Sequence, residues 1–83
     1  MDKKLKELRE KAKNLEPVLR IGKFGLNENV HNEIEKLLKK RRLIKIKILN
    51  NCPVEKEKLI EKILIKNKAI LILDLGNVFA IYR

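Results

Sequence analysis

From Asp2 to about Asn14 the apolar positions Leu5, Leu8, Ala12 and Leu15 recur at helical spacing. Charged residues fill the gaps, with Glu7 placed to pair with Lys11. Pro17 ends this helix, and Val18-Leu19-Arg20-Ile21 is a short strand closed by Gly22. After a glycine loop, Asn27 offers an N-cap, and Val30, Ile34, Leu37 and Leu38 form an apolar stripe that carries a second helix to about Arg41. The period then changes. Leu43 to Leu49 alternates, with Ile44, Ile46 and Ile48 on one face and Lys45 and Lys47 on a wet, basic one. Asn50-Asn51-Cys52-Pro53 turns the chain, and Leu59, Ile60, Ile63 and Leu64 mark a third helix over Val54 to about Lys66. Ala69–Leu73 and Val78–Tyr82 are apolar runs joined through Asp74-Leu75-Gly76-Asn77, whose Gly-Asn pair favours a hairpin.

The order α-β-α-β-α-β-β predicts an α/β domain of the α+β type with a mixed four-stranded sheet. Strands alternating with helices favour parallel crossovers, and the final pair must be antiparallel. Two layers are expected, with one sheet face at least partly open and most helical cover on the other.

Eighty-three residues suit one domain, 1–83. Leu, Ile and Val supply 29 of them, against two Phe, one Tyr and no Trp, so the core is aliphatic and stacking platforms are scarce. The chain has no Ser, Thr or Gln, which removes hydroxyl nucleophiles other than Tyr82. Cys52 stands alone, so neither an internal disulfide nor a cysteine metal site is available, and a reducing cytoplasm is the expected compartment. The charged N-terminus reads as no signal peptide, and the uncharged runs are far short of the roughly 20 residues of a bilayer helix.

The formal net charge of +10 redirects attention to the loop Gly22-Lys23-Phe24-Gly25. Two glycines let the backbone turn tightly with its N–H groups near a ligand, the following helix adds the positive end of its dipole, and Lys23 adds a full charge. Such a loop is a phosphate cradle, although a strand-to-helix turn wants glycine for steric reasons as well. In so basic a chain the phosphates expected are those of a nucleic-acid backbone.

The Gly-Lys-x-Gly loop after Pro17-Val18-Leu19-Arg20-Ile21, the Leu43-Ile44-Lys45 strand opening and the closing Gly76-Asn77-Val78-Phe79-Ala80-Ile81-Tyr82-Arg83 occur in the order seen in one family. On these motifs the chain resembles the CRM domain, the YhbY-like proteins of RNA splicing and ribosome maturation. Asn27 stands where family members often have Thr or Ser, which preserves the cap. The resemblance implies a fold similar to the C-terminal domain of translation initiation factor three, and an RNA-binding loop acting like that of KH domains. It implies ribosomal RNA or the pre-ribosomal large subunit as partner, and a single-domain chain favours the stand-alone, ribosome-associated role over splicing or transfer-RNA processing.

The residues expected on RNA are Arg20, Gly22, Lys23, Phe24 and Gly25 at the loop, with Phe24 either stacking on a base or anchoring the loop to the core. Lys39, Lys40, Arg41 and Arg42 at the end of the second helix, with Lys45 and Lys47, belong to an acid-free run from Lys36 to Lys47, although a helix C-terminus favours cations whatever its function. Arg9 and Lys13 are expected near the loop by the family arrangement. His31 reads as a partly exposed helix residue.

Catalysis is not expected. One histidine and scattered acids have no metal-ligand spacing, Glu33/Glu35 and Glu55/Glu57 point apart on their helices, and the loop is too short for a Walker motif. No cofactor, metal, small-molecule substrate or membrane is expected, and the domain reads as a monomer. Nonspecific DNA binding is the main alternative, with no helix-turn-helix or zinc module to support it.

Overall fold

The computed structural model describes residues 3–83, so the expected helix start at Asp2 lies outside the described residues. The elements are α1 (Lys3–Asn14), β1 (Leu19–Ile21), α2 (Glu28–Arg41), β2 (Leu43–Ile48), α3 (Lys56–Asn67), β3 (Ile70–Leu75) and β4 (Val78–Tyr82). They follow the order read from the periodicity and form a mixed four-stranded sheet.

The spatial strand order is β1-β2-β4-β3. β1 and β2 are parallel and joined through α2, whereas β4 runs antiparallel to both β2 and β3. β4 thus inserts between the strands flanking α3, and the two edges are β1 and β3. A bulge between Leu71 and Leu73 shifts the β3 register and turns both Ile72 and Leu73 toward the same small core.

The alternation of β2 decides where the larger core lies. Ile44, Ile46 and Ile48 pack with Ile21, Phe79 and Ile81 beneath Ile34 and Leu38 of α2 and Leu59, Ile60 and Ile63 of α3. Each such side chain, fully buried, contributes about 1.5–3 kcal/mol before the entropy of ordering is counted.

On the opposite face α1 sets Leu8 and Ala12 against Ile72, Leu73 and Ala80. Ala12 and Ala80 are both completely buried, and their small side chains let helix and sheet approach closely. The two-layer expectation therefore describes α2 and α3 on the sheet, and α1 adds a partial third layer on the face expected to be open. That cover corrects the assignment of Lys45 to a wet face. Lys45 is only 9% exposed, and its ammonium donates to Leu15 O at 3.2 Å. Its stem lies against apolar surface while its charge meets a carbonyl just past the C-terminal end of α1.

Candidate nucleic-acid interface

β1 is brought to its end by Ile21, buried in the main core, and the chain then reverses through Gly22–Gly25. Gly25 N–H donates to Gly22 O at 2.9 Å, closing the turn. Gly25 has φ +61, and a Cβ there would lie 3.4 Å from Val54 Cγ2. The left-handed conformation calls for glycine, while the space would admit a Cβ in ordinary contact. Two residues on, the Asn27 side chain accepts a 2.9 Å hydrogen bond from Val30 N–H and starts α2. The N–H groups of Glu28 and Asn29 precede the first intrahelical donor and lie at the helix mouth, where the dipole is positive.

The turn presents its two middle residues outward. Phe24 is 80% exposed, so it does not anchor the loop to the core, and Lys23 Nζ lies 5.2 Å from the centre of its ring. Beside them Arg20 on β1 is the register partner of Lys47 on β2. Because Ile21, Ile46 and Ile48 point into the main core, this pair lies on the other face, where Arg20 is exposed and Lys47 half-buried. The shallow groove along the turn also includes the acidic Glu33.

Lys39, Lys40, Arg41 and Arg42 are exposed at the far end of α2. A helix of 14 residues separates them from the loop by about 20 Å. The structure thus divides the expected basic surface in two. Arg42, with φ +67, caps α2 through its N–H to Leu38 O. Its guanidinium donates to Arg83 O at 2.8 Å and lies 5.7 Å from the ring centre of Tyr82. Lys4 Nζ is also 5.7 Å from that ring. Hydrogen bonds from Lys4 and then Arg42 hold the Tyr82 phenol below the usual tyrosine pKa against the opposing effect of burial.

Arg9 is not near the loop. Its Nε reaches Ile72 O at 3.4 Å on β3, the opposite edge of the sheet from β1, because α1 docks over β3 and β4. Lys13 is exposed on the same helix and pairs with Glu10 at 3.4 Å. Lys45 is withdrawn beneath the end of α1, as described above.

Sequence reasoning missed a polar clamp between α2, α3 and the C-terminus. Buried Asn67 donates to His31 O and Glu35 Oε1, and its own Oδ1 lies 3.1 Å from His31 Nδ1. Arg83 donates to Glu35 Oε1 at 2.8 Å and to Asn67 O. No periodic pattern marks such a contact, and Asn67 lies just past the apolar positions that mark the third helix. The role of Tyr82 and its two cations was missed too, because Lys4 and Arg42 are distant in sequence. Among the described residues no group of three or more His, Cys, Asp or Glu is placed to hold a metal ion.

This architecture, a glycine turn between β1 and α2 on a split mixed sheet, has a family. A model of the CRS1/YhbY (CRM) domain matches residues 1–83, and the chain belongs to that family. It is 34% identical over 76 residues to the Bacillus subtilis protein named "Probable RNA-binding protein YqeI", covering 92% of this chain and 79% of the relative. A Haemophilus influenzae protein named "RNA-binding protein" is 35% identical over 72 residues, covering 87% of this chain and 73% of its own length. The solution structure of a hypothetical protein from Staphylococcus aureus superposes with a TM-score of 0.80 at 36% identity, covering 98% of this chain and 84% of that one.

Proposed function

We propose that this chain is a non-catalytic RNA-binding protein that grips backbone phosphates at the Gly22–Gly25 turn and acts on ribosomal RNA during large-subunit maturation in the cytoplasm. One observation carries the reading: the turn is closed by the Gly25-to-Gly22 backbone hydrogen bond, yet it holds a lysine and an 80% exposed phenylalanine in solvent. A large apolar side chain left so exposed contributes little to folding, and beside a cation it matches a base next to its phosphate. Family membership and the names of the relatives favour RNA over DNA as the polymer.

In this mechanism the N–H groups at the mouth of α2 and Lys23 meet one or two phosphates, Phe24 stacks on a base, and Arg20 and Lys47 extend the contact over the open part of the sheet. Few aromatic side chains and no hydroxyl except that of Tyr82 leave RNA shape as the main source of specificity.

The test is crosslinking in cells followed by sequencing of the bound RNA, with wild type and the double variant Lys23→Asp, Phe24→Asp. A discrete peak in large-subunit ribosomal RNA that the variant loses is expected. In vitro the variant should bind that fragment about a hundredfold more weakly, from the lost stacking and the reversed charge, with stability changed by less than about 0.5 kcal/mol. Peaks in introns or transfer RNA would move the role to splicing or processing, and reads indifferent to the loop would overturn the cradle.

A further inference from the structure

The concavity between α1 and the far end of α2 has no part in the loop reading. It is an open groove of about 700 Å³, with Leu8, Leu15 and Leu43 as its floor and Lys11, Arg41 and Tyr82 among its walls. Asn14 and Arg42 complete the lining, and no acidic residue contributes to it, in contrast to the loop groove with Glu33. An apolar floor beside an aromatic ring, rimmed by cations, is the chemistry of a nucleobase flanked by phosphates.

We propose that this groove is a second contact for single-stranded RNA, in which a base lies on the leucine floor against Tyr82 while the flanking phosphates meet Lys11 and Arg41. The proposal rests on the RNA-binding reading above and adds a site that reading does not need. β2 links the two contacts, because Leu43 lines the groove at its start and Lys47, beside Arg20, lies toward the loop at its end. With about 20 Å between the two contacts along α2, only a strand longer than a few nucleotides reaches both. Binding should therefore rise with RNA length.

The test uses fluorescein-labelled oligouridylates U4 and U12 at low salt, followed by anisotropy, with wild type and two variants. Wild type should bind U12 at least about tenfold more tightly than U4, because only the longer strand engages both contacts. In Lys11→Glu, Arg41→Glu, two exposed positions, U12 should fall about tenfold to the affinity of U4. U12 carrying 4-thiouridine should crosslink to Tyr82, mapped by mass spectrometry. Unchanged U12 binding by the Lys11/Arg41 variant, crosslinks confined to the loop, or no binding of U12 to wild type would each overturn the proposal. The loop reading is judged separately: if Lys23→Asp, Phe24→Asp keeps U12 and the groove variant loses it, the loop fails and the groove stands.

Discussion

Cations flank both ends of α2, from the Gly22–Gly25 turn before it and from its own last turn after, and the two ends are built in opposite ways. At the N-terminal end the backbone is fixed by the Gly25 to Gly22 hydrogen bond and the Asn27 cap, and the side chains of Lys23 and Phe24 extend into solvent. At the C-terminal end the side chains themselves hold structure: Arg42 ties α2 to Arg83 O, and Arg83 in turn bridges to Glu35 and Asn67. Counting charges does not separate these cases. A cation that a fold uses for its own closure is costly to change, whereas one mounted on a rigid turn is available to a partner. Stability and RNA binding should therefore be separable at the loop and entangled at the helix end.

The sharpest way to break this contrast is to disturb the loop backbone instead of its side chains. Gly25→Ala places a Cβ on a backbone at φ +61, so a stability loss of about 1–2 kcal/mol is expected in urea denaturation. Gly22→Ala meets Asn51 Oδ1 at 3.2 Å and Leu49 Cδ1 at 3.3 Å, both side-chain ends that can shift, and should cost less than about 0.5 kcal/mol. Equal losses at the two glycines would mean that the left-handed backbone at Gly25 is not what requires glycine there.

The same contrast explains what the sequence made legible. Element types and order follow from hydrophobic period, since Ile34 and Leu38 or Ile44, Ile46 and Ile48 recur at spacings that only one kind of element can bury on one side. The loop was legible because glycine, lysine and an N-cap were adjacent in the chain. The position of α1 was not, because a short amphipathic helix can cover either face of a sheet, and the Ile-Lys alternation of β2 reads the same whether Lys45 meets water or Leu15 O. Arg9 went astray for that reason. The His31, Glu35, Asn67 and Arg83 clamp joins residues up to 48 positions apart by polar contacts that leave no period.

A smaller effect tests whether the helix end is structural. Arg42 sits at φ +67 and ψ −41, a conformation costly for a side chain with a Cβ. Arg42→Ala should lose about 1 kcal/mol, from the hydrogen bond to Arg83 O and the contact with Tyr82. Arg42→Gly loses the same contacts but relieves the backbone, and after its greater unfolded-state entropy is counted it should be about 0.5–1 kcal/mol more stable than the alanine variant. Identical midpoints for Gly and Ala would show that the cap is not strained and that Arg42 acts at this position through its side-chain contacts.

The smallest expected effect is in the pH dependence of the clamp. Hydrogen bonds from Arg83 and then Asn67 hold the Glu35 carboxyl below its ordinary value of 4.5. Because the folded value is the lower one, the unfolded chain binds a proton first on acidification. The contribution is complete above 4.5 and is lost as pH falls through the lowered value. Thermal melts from neutral pH to about pH 3 should show a fall in Tm whose acid portion is shallower in Glu35→Gln, since glutamine has no proton to gain. The difference will be slight, because the Glu35 side chain is 37% exposed and water screens the pair. Parallel curves would mean that Arg83 is held by Asn67 O and its backbone alone, and that Arg83, unneeded by Glu35, belongs with Lys23 among the cations available to RNA.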